Sequence, residues 1–319
     1  MTGAGASRGA QAAVDWSAAA SVLQTVGDVL RWLATTFAGA GLHFGHGTDE
    51  AWDDAVQLVS GALAIPADRL QPLLGARLLP AELQALVGLA RQRVEDRVPV
   101  PYLTGRAWFA GLEFEVDRNV LIPRSPFAEL IERGFEPWLE EAPARALDLC
   151  TGSGCIGLAV ARAYPAAEVV LTDLSPAALA VAERNRDRLG FDPARVTCVL
   201  GDLFAPVDGK FDLIVSNPPY VPESSYERMP AEYRHEPKLA LTADDDGLAL
   251  VRRILRAAPD YLTAEGWLFL EVGEIAPAVD AMLDELAFGW VEFERGGDGV
   301  LAVRADALAQ FVQSAAARW

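Results

Sequence analysis

The chain has 319 residues, of which 51% are hydrophobic, a composition typical of a globular protein of one or two domains. Its 45 acidic and 27 basic residues give a formal net charge of −18, and such an acidic surface argues against a protein that clamps DNA or RNA because it repels phosphate. The charge is equally consistent with attraction of a basic protein partner and with solubility alone.

The N-terminal part is predicted to be a flexible tail, residues 1–16, followed by a helical domain, residues 17–98. The first dozen residues are small and polar and lack the charged and apolar regions of a signal peptide. After the tail, three apolar series have the three- and four-residue spacing of a helix face. These series are Val22, Val26, Val29, Leu30 and Leu33; Ala51, Trp52, Ala55, Val56, Leu58 and Val59; and Leu83, Leu86, Val87 and Ala90. We expect this domain to recognise the substrate.

Neither a metal centre nor a membrane span is predicted. His43 and His46 have the spacing of metal ligands, but no third ligand is nearby, so a glycine-rich loop or a substrate contact is favoured. The cysteines Cys150, Cys155 and Cys198 form no CxxC pair, which argues against a disulfide framework and predicts a reducing, cytoplasmic location. The chain has no run of about 20 uncharged apolar residues, so no membrane span is expected.

Residues 99–126 are predicted to form a β-hairpin linker. Prolines at positions 99, 101, 123 and 126 bracket two strand-like stretches, residues 107–115 and residues 116–122.

The remaining residues, 127–319, are predicted to form an α/β catalytic domain. Short apolar strands alternate with helices, such as the one at residues 176–189, and this alternation predicts a parallel sheet covered on both faces. The last two strands are separated by only five residues, too few for a crossover helix, so the sheet is expected to end in an antiparallel hairpin. The predicted strands are residues 146–150, 168–173, 196–201, 211–216, 266–272, 290–294 and 300–304.

The loop after the first of these strands reads Asp148-Leu149-Cys150-Thr151-Gly152-Ser153-Gly154. Its glycines allow a sharp turn close to a ligand, and the next helix presents free N–H groups. Because the stretch also satisfies G-x-G-x-x-G through Gly157, the loop alone leaves three interpretations: a methyltransferase, a dinucleotide enzyme, or a tight turn without a ligand. Asp148 favours the first, since it can accept hydrogen bonds from the ammonium group of a methionine but would oppose a pyrophosphate.

Two further acidic residues follow predicted strands. Asp173 can hold both ribose hydroxyls of a nucleoside, although it is also consistent with a helix cap before Ser175. Asp202 can accept from an adenine amino group while the Leu203 N–H donates to a ring nitrogen. Together with the glycine-rich loop, these residues predict a nucleoside pocket.

The fourth motif, Asn217-Pro218-Pro219-Tyr220, directly follows the fourth strand. An amide nitrogen is a poor nucleophile because its lone pair is delocalised. The Asn217 side-chain oxygen and the Pro218 carbonyl can each accept one N–H of an –NH2 group and fix its plane, while Pro219 stiffens the backbone and Tyr220 offers a flat wall. A plain loop remains the alternative interpretation of this motif taken by itself.

The two motifs D-L-C-T-G-S-G and N-P-P-Y resemble those of the protein glutamine N5-methyltransferases, and the resemblance covers nearly the whole chain. It implies a class I, Rossmann-like methyltransferase fold with a seven-stranded, mostly parallel sheet and a small N-terminal helical domain. It also implies S-adenosyl-L-methionine as the cofactor.

Finer features resemble the branch that acts on ribosomal protein L3 (uL3). The branch acting on release factors has P-R-P-x-T-E where this chain has P-R-S-P-F-A at residues 123–128. The other features are H-F-G-H-G-T-D at 43–49 with A-W-D at 51–53, E-Y-R-H-E-P at 232–237, and G-G-D-G-V at 296–300. This branch implies a basic ribosomal protein as partner, in agreement with the acidic surface.

The sequence therefore predicts transfer of a methyl group from S-adenosyl-L-methionine to the side-chain amide of a glutamine in uL3. The alternatives are a release-factor methyltransferase, a DNA adenine-N6 methyltransferase, which the charge disfavours, a nicotinamide dehydrogenase, and an assembly factor without turnover. No sequence-specific binding of nucleic acid is expected. The predicted catalytic residues are Asn217, Pro218, Pro219 and Tyr220, and the predicted cofactor-binding residues are Asp148, Thr151, Gly152, Gly154, Asp173, Asp202, Leu203 and Asn217.

Overall fold

The computed structural model describes residues 14–315, which form two compact units divided between Arg106 and Ala107. The first 13 positions of the predicted tail lie outside the described residues, and its last residue, Trp16, already begins a helix. No helix among the described residues is long and apolar enough to cross a membrane.

The first unit is helical, as predicted, with its five helices packed around one apolar core. Its helices are α1 (Trp16–Val22), α2 (Val26–Gly39), α3 (Ala51–Leu63), α4 (Pro80–Glu95) and α5 (Val100–Thr104), with single 3₁₀ turns at Ala67–Arg69 and Gln71–Leu73. The residues that these helices contribute to the core are mostly Leu, Val and Ala, including Leu30, Leu33, Leu58 and Leu86.

The first predicted apolar series spans two helices instead of one. A capping box starts α2, because the Thr25 hydroxyl accepts from the Asp28 N–H at 3.1 Å and the Asp28 carboxylate accepts from the Thr25 N–H at 3.0 Å. Val22, which ends α1, is therefore 70% exposed and its neighbour Leu23 is buried instead. Trp52, predicted with the series in α3, is also exposed.

A buried ion pair ties the loop between α2 and α3 to α4. The Arg93 guanidinium donates to Asp54 Oδ2 at 2.8 Å and to the His43 carbonyl at 2.8 Å. The Thr48 hydroxyl donates to the other carboxylate oxygen of Asp54 at 2.6 Å. The predicted glycine-rich loop between helices is thus confirmed, and it is held by Asp54 of α3 and Arg93 of α4. Within residues 14–315 no group of three His, Cys, Asp or Glu side chains is arranged to hold a metal.

The second unit begins with a hairpin whose bounds differ from the prediction. Strand β1 (Arg106–Phe109) pairs with β2 (Leu112–Glu115), so both strands come from the first predicted stretch. Ala110 and Gly111 both take positive φ, +46° and +73°, which makes them the two-residue turn of this hairpin. The second stretch, residues 116–122, contains no strand because the Asp117 carboxylate accepts from the Asn119 N–H at 2.8 Å and turns the chain.

The rest of this unit is a seven-stranded sheet with helices on both faces. Its strands are β3 (Arg145–Leu149), β4 (Glu168–Asp173), β5 (Val196–Leu200), β6 (Phe211–Ser216), β7 (Leu262–Glu271), β8 (Gly289–Trp290) and β9 (Val300–Arg304). The helices are α6 (Phe127–Glu132), α7 (Cys155–Ala163), α8 (Pro176–Arg188), α9 (Glu223–Tyr226), α10 (Leu248–Ala257), α11 (Ala276–Met282) and α12 (Ala305–Ala315). Alternate residues of β7 enter different cores, Leu268 and Leu270 on one face and Phe269 on the other.

The order of the strands is β5-β4-β3-β6-β7-β9-β8. The first five are parallel, whereas β9 is antiparallel to both β7 and β8, so the predicted antiparallel end is confirmed. Strand β8 is shorter than predicted, ending at Trp290. The strand order reverses between β3 and β6, and in open parallel sheets ligands bind beyond the carboxyl ends of the strands at such a point.

Candidate active site

A cavity of about 260 Å³ lies at this edge of the sheet. Most of the residues predicted from sequence for the site line it, although they follow four different strands. These residues are Thr151, Gly152, Asp173, Asp202, Leu203, Asn217 and Pro219.

The glycine-rich loop after β3 turns sharply and is stabilised by hydrogen bonds to the Asp148 carboxylate. Asp148 Oδ2 accepts from the Thr151 hydroxyl at 2.5 Å and from the Gly157 N–H at 2.9 Å, and Oδ1 has no partner among the described residues. Burial raises the pKa of Asp148 to about 7. Gly154 takes a φ of +82° at the start of α7, where a Cβ would approach Leu158 to 2.9 Å.

Asp148 and Gly154 therefore do not line the cavity. Asp148 is only 1% exposed and its Oδ2 is used inside the loop, so it contributes to the structure of the loop, and the cofactor contact expected of Asp148 and Gly154 stays a prediction.

Asp173 joins the two loops that follow β3 and β4. Its Oδ2 accepts from the Gly152 N–H at 2.8 Å and its Oδ1 accepts from the Ser175 N–H at 2.8 Å. The cap of α8 is Ser175, whose hydroxyl accepts from the Ala178 N–H at 3.2 Å. Burial raises the pKa of Asp173. The carboxylate thus fixes the loop and lines the cavity at the same time.

Asp202 and Leu203 border the cavity after β5. Leu203 takes a φ of +51° and is buried, so this turn is held in one conformation. Asp202 Oδ2 accepts from Arg253 Nη2 at 2.6 Å. Arg253, in α10, also lines the cavity and was not predicted from the sequence, because nothing in its own helix marks it.

A second cavity, of about 210 Å³, is also lined by residues of the Asn217-Pro218-Pro219-Tyr220 segment. Pro218 and Tyr220 line this cavity, Pro219 lines the first, and Asn217 lines both. Arg124 also borders both cavities.

Glu271, the last residue of β7, lies at the second cavity and accepts two hydrogen bonds. They come from the Ser125 hydroxyl at 2.5 Å and the Tyr220 hydroxyl at 3.3 Å. Burial raises the pKa of Glu271 to about 7 and also raises that of Tyr220, whose phenol therefore remains a donor. Sequence reasoning missed Glu271, although its place at the carboxyl end of a predicted strand matches that of Asp173.

Two of the motifs quoted from sequence meet beside the second cavity. Arg124 donates to both carboxylate oxygens of Glu236, at 2.6 and 2.8 Å, and the Ile122 N–H donates to the same group at 3.0 Å. The Arg124 guanidinium also lies 5.4 Å from the centre of the Tyr233 ring. The P-R-S-P segment and the E-Y-R-H-E-P segment therefore form one wall.

Residues 135–232 match a family model, that of the methyltransferase small domain. The chain is 49% identical to a ribosomal protein uL3 glutamine methyltransferase of Xanthomonas campestris, over 90% of this chain and 93% of that protein. Proteins with the same description from Francisella tularensis and Bordetella pertussis are each 44% identical, over 91% and 90% of this chain and 93% and 97% of theirs. The strand order and the family match identify the class I methyltransferase fold.

Proposed function

Because this chain belongs to the family of ribosomal protein uL3 glutamine methyltransferases, we propose that it transfers a methyl group from S-adenosyl-L-methionine to the side-chain amide nitrogen of a glutamine in uL3. The observation that carries the proposal is the position of Asn217, which borders two cavities at once. A donor in the first cavity and an acceptor amide in the second can meet at this residue.

The first cavity fits the adenosyl cofactor. The Asp173 carboxylate lies where ribose hydroxyls can donate to it, and Asp202 and Leu203 lie further along the same edge for the adenine. A Cβ at Gly152 would meet nothing within 4 Å, so the loop leaves open space on its cavity side. When bound, the cofactor supplies a methyl group on a sulfonium, an electrophile that a weak nucleophile can attack in line.

The second cavity fits a glutamine side chain. The Asn217 oxygen and the Pro218 carbonyl accept the two N–H groups of the substrate amide and fix its plane, while the Tyr220 ring packs against it. These contacts direct the nitrogen lone pair towards the first cavity. Holding the nucleophile in line with the methyl group in this way accelerates the transfer. The amide loses its proton readily once it is methylated and cationic, so the site does not require a strong base.

The partner is a basic protein, which the chain's net charge of −18 would attract. A cytoplasmic location, where ribosomal proteins are made, follows from the proposed substrate. The proposed function does not require sequence-specific binding to nucleic acid.

Label transfer from radioactive S-adenosyl-L-methionine tests the proposal, with purified uL3, a release factor and duplex DNA assayed in parallel. We expect label on uL3 alone. Label on the release factor would keep the chemistry and change the substrate, whereas label on DNA or on no acceptor would contradict the proposal. Asn217→Ala serves as the control for the site: turnover should fall by roughly 10²–10³, the effect of removing one preorganised polar contact, with cofactor affinity within a few-fold.

A further inference from the structure

We propose that Asn185 is a positioning residue for the cofactor that holds two walls of the first cavity together, an inference that rests on the proposed function. One wall, the loop wall, is the glycine-rich loop, which contributes Gly152 and Ser153 to the lining. The other, the linker wall, is the segment of residues 116–122 that follows β2, and its residues 119–121 line the same cavity. Asn185 itself lines neither cavity.

The Asn185 carboxamide bonds to the backbone at both walls. Its Oδ1 accepts from the Glu115 N–H at 2.7 Å, and its Nδ2 donates to the Glu115 carbonyl at 2.9 Å and to the Ser153 carbonyl at 2.9 Å. Glu115 ends β2 and directly precedes the linker wall, whereas Ser153 belongs to the loop wall. One side chain therefore links the start of the linker wall to the glycine-rich loop.

The orientation of this carboxamide is fixed by its partners. The Glu115 N–H can only donate, so the oxygen of the carboxamide faces it, and the two carbonyls can only accept, so the –NH2 group faces them. Asn185 has no exposed surface, so water does not compete for these bonds. A reversed amide would place two donors together and an oxygen against two carbonyls.

Helix α8 carries Asn185 on its packed face. The other buried residues of this helix are all apolar: Ala178, Leu179, Val181 and Ala182. A Cβ at Gly154 would approach the Ala182 Cβ to 3.2 Å, so the glycine-rich loop packs on the same face as Asn185. An apolar side chain would be enough for this packing, and the amide adds the three bonds to the two walls.

The two ends of the linker wall are held separately. At its start, Arg184 of α8 donates to the Glu115 carboxylate at 2.6 Å and to the Asp117 carboxylate at 3.0 Å, beside the bonds from Asn185. At its end, the Ile122 N–H donates to the buried Glu236 carboxylate at 3.0 Å. Residues 119–121 are therefore held beside the loop wall before the cofactor binds, and a preorganised cavity loses less conformational entropy on binding.

The decisive variant is Asn185→Asp, which keeps the size of the side chain and can still accept from the Glu115 N–H. Its second oxygen replaces the –NH2 group and faces two carbonyls, so the bonds to Glu115 and Ser153 are lost. Glu129→Gln is the matched control. Glu129 is also buried and lines neither cavity, and its carboxylate accepts from two backbone N–H groups distant in the chain, those of Glu294 at 2.8 Å and Arg295 at 3.0 Å.

The first readout needs neither cofactor nor substrate. Amide hydrogen exchange, followed by mass spectrometry, reports how firmly the linker wall is held. In Asn185→Asp, exchange in peptides that cover residues 115–122 should become faster by roughly tenfold, because the opening of this segment needs less free energy. The same peptides should exchange at the wild-type rate in Glu129→Gln. Unchanged exchange in Asn185→Asp would overturn the inference whether or not uL3 is the substrate.

The second readout separates cofactor affinity from turnover. By calorimetry, the Kd for S-adenosyl-L-methionine should rise by roughly tenfold in Asn185→Asp and stay within about twofold in Glu129→Gln. At saturating cofactor, kcat for methylation of uL3 should remain within about threefold of the wild type in both variants, because Asn185 touches no reacting group. An unchanged Kd in Asn185→Asp, or a loss confined to kcat, would overturn the inference.

If Asn185→Asp does not fold, Arg184→Gln replaces it. The Arg184 side chain is 44% exposed, and its removal loosens the same end of the linker wall without disturbing the buried amide. The Kd for the cofactor should then rise by roughly two- to fivefold, with faster exchange in residues 115–122. A wild-type Kd in Arg184→Gln would overturn the inference.

Binding assays without uL3 separate this inference from the proposed function. If the wild type binds S-adenosyl-L-methionine but does not label uL3, and Asn185→Asp binds the cofactor more weakly, the proposed function fails and the positioning role stands. If the wild type labels uL3 and Asn185→Asp binds the cofactor as tightly as Glu129→Gln does, the proposed function stands and the positioning role fails.

Discussion

Arg124 and Glu236, 112 residues apart in the chain, form a two-pronged ion pair in which each carboxylate oxygen accepts from a different guanidinium nitrogen, at 2.6 and 2.8 Å. The Glu236 side chain has no exposed surface, whereas that of Arg124 is 22% exposed at the cavities. This pair, with the proximity of the guanidinium to the Tyr233 ring, joins the two segments that flank the proposed glutamine site.

Removing Arg124 should destabilise the catalytic unit. Arg124→Ala leaves the buried Glu236 carboxylate without its cation, and such an unpaired charge costs about 3–5 kcal/mol of the free energy of unfolding. Chemical denaturation, monitored by tryptophan fluorescence, measures this loss in the free energy of unfolding. The control is Arg304→Ala, which breaks the exposed pair with Asp306 and should leave the free energy of unfolding close to that of the wild type. An effect of Arg124→Ala no larger than the control would show that Glu236 is solvated.

Replacing Asp173 should weaken binding of S-adenosyl-L-methionine. Asp173→Asn keeps the shape of the side chain but removes its charge. One of the two oxygens that accept from the Gly152 and Ser175 N–H groups is then replaced by an –NH2 group, which can only donate. Calorimetry should show a loss of ~1–3 kcal/mol in binding free energy, the scale of a charged hydrogen bond. Asp192→Asn is the matched control, since Asp192 also accepts from a loop N–H, that of Ala194, but lines neither cavity. Equal affinities in the two variants would restrict Asp173 to a structural role.

Asp53 and Asp54 are neighbours in the first turn of α3, and their substitutions should differ sharply. Asp54 is 3% exposed and pairs with Arg93, whereas Asp53 is exposed. Asp54→Ala strands the Arg93 cation and should lower the free energy of unfolding by about 3–5 kcal/mol, while Asp53→Ala removes only a favourable interaction with the helix dipole, worth about 0.3–1 kcal/mol. Chemical denaturation of the full chain compares the free energies of unfolding of the two variants. Similar losses would mean that the buried pair does not stabilise the helical unit.

The contribution of Glu271 and Asp148 to the stability of the protein should fall as the pH rises from about 4 to about 7. Burial raises the pKa of Glu271 and that of Asp148 to about 7 in the folded chain, from their ordinary values of 4.5 and 3.8, although Arg124 acts in the opposite direction on Glu271. The folded state therefore binds these protons more tightly than the unfolded state, and each is lost at a cost to folding as the pH passes through this range. Urea unfolding at several pH values measures the slope. Glu271→Gln, which cannot ionise, should have a shallower slope, and identical slopes in the two proteins would contradict the raised pKa.

The sequence by itself determined the order of the elements and the edge of the sheet that carries the site. Alternation of apolar strands and helices is a local property, and it located four of the five parallel strands to within about one residue at each end. Because parallel strands end at the same edge, the residues that follow them, such as Asp173, Asp202 and Asn217, could be expected to meet. The five-residue spacer before Val300 likewise predicted the antiparallel end, since no helix fits in it.

The pairing of side chains across that edge can be read only from the folded chain. Ser125 bonds to Glu271, 146 residues away in the chain, and Arg253 bonds to Asp202, 51 residues away. A local sequence pattern cannot predict such contacts because they depend on the whole fold. The motif that contains Asp148 is local and recognisable, yet the two hydrogen bonds that Asp148 Oδ2 accepts, from the Thr151 hydroxyl and the Gly157 N–H, are seen only in the folded chain. The direction of a side chain at the end of a strand depends on the partners available to it, and these come from distant parts of the chain.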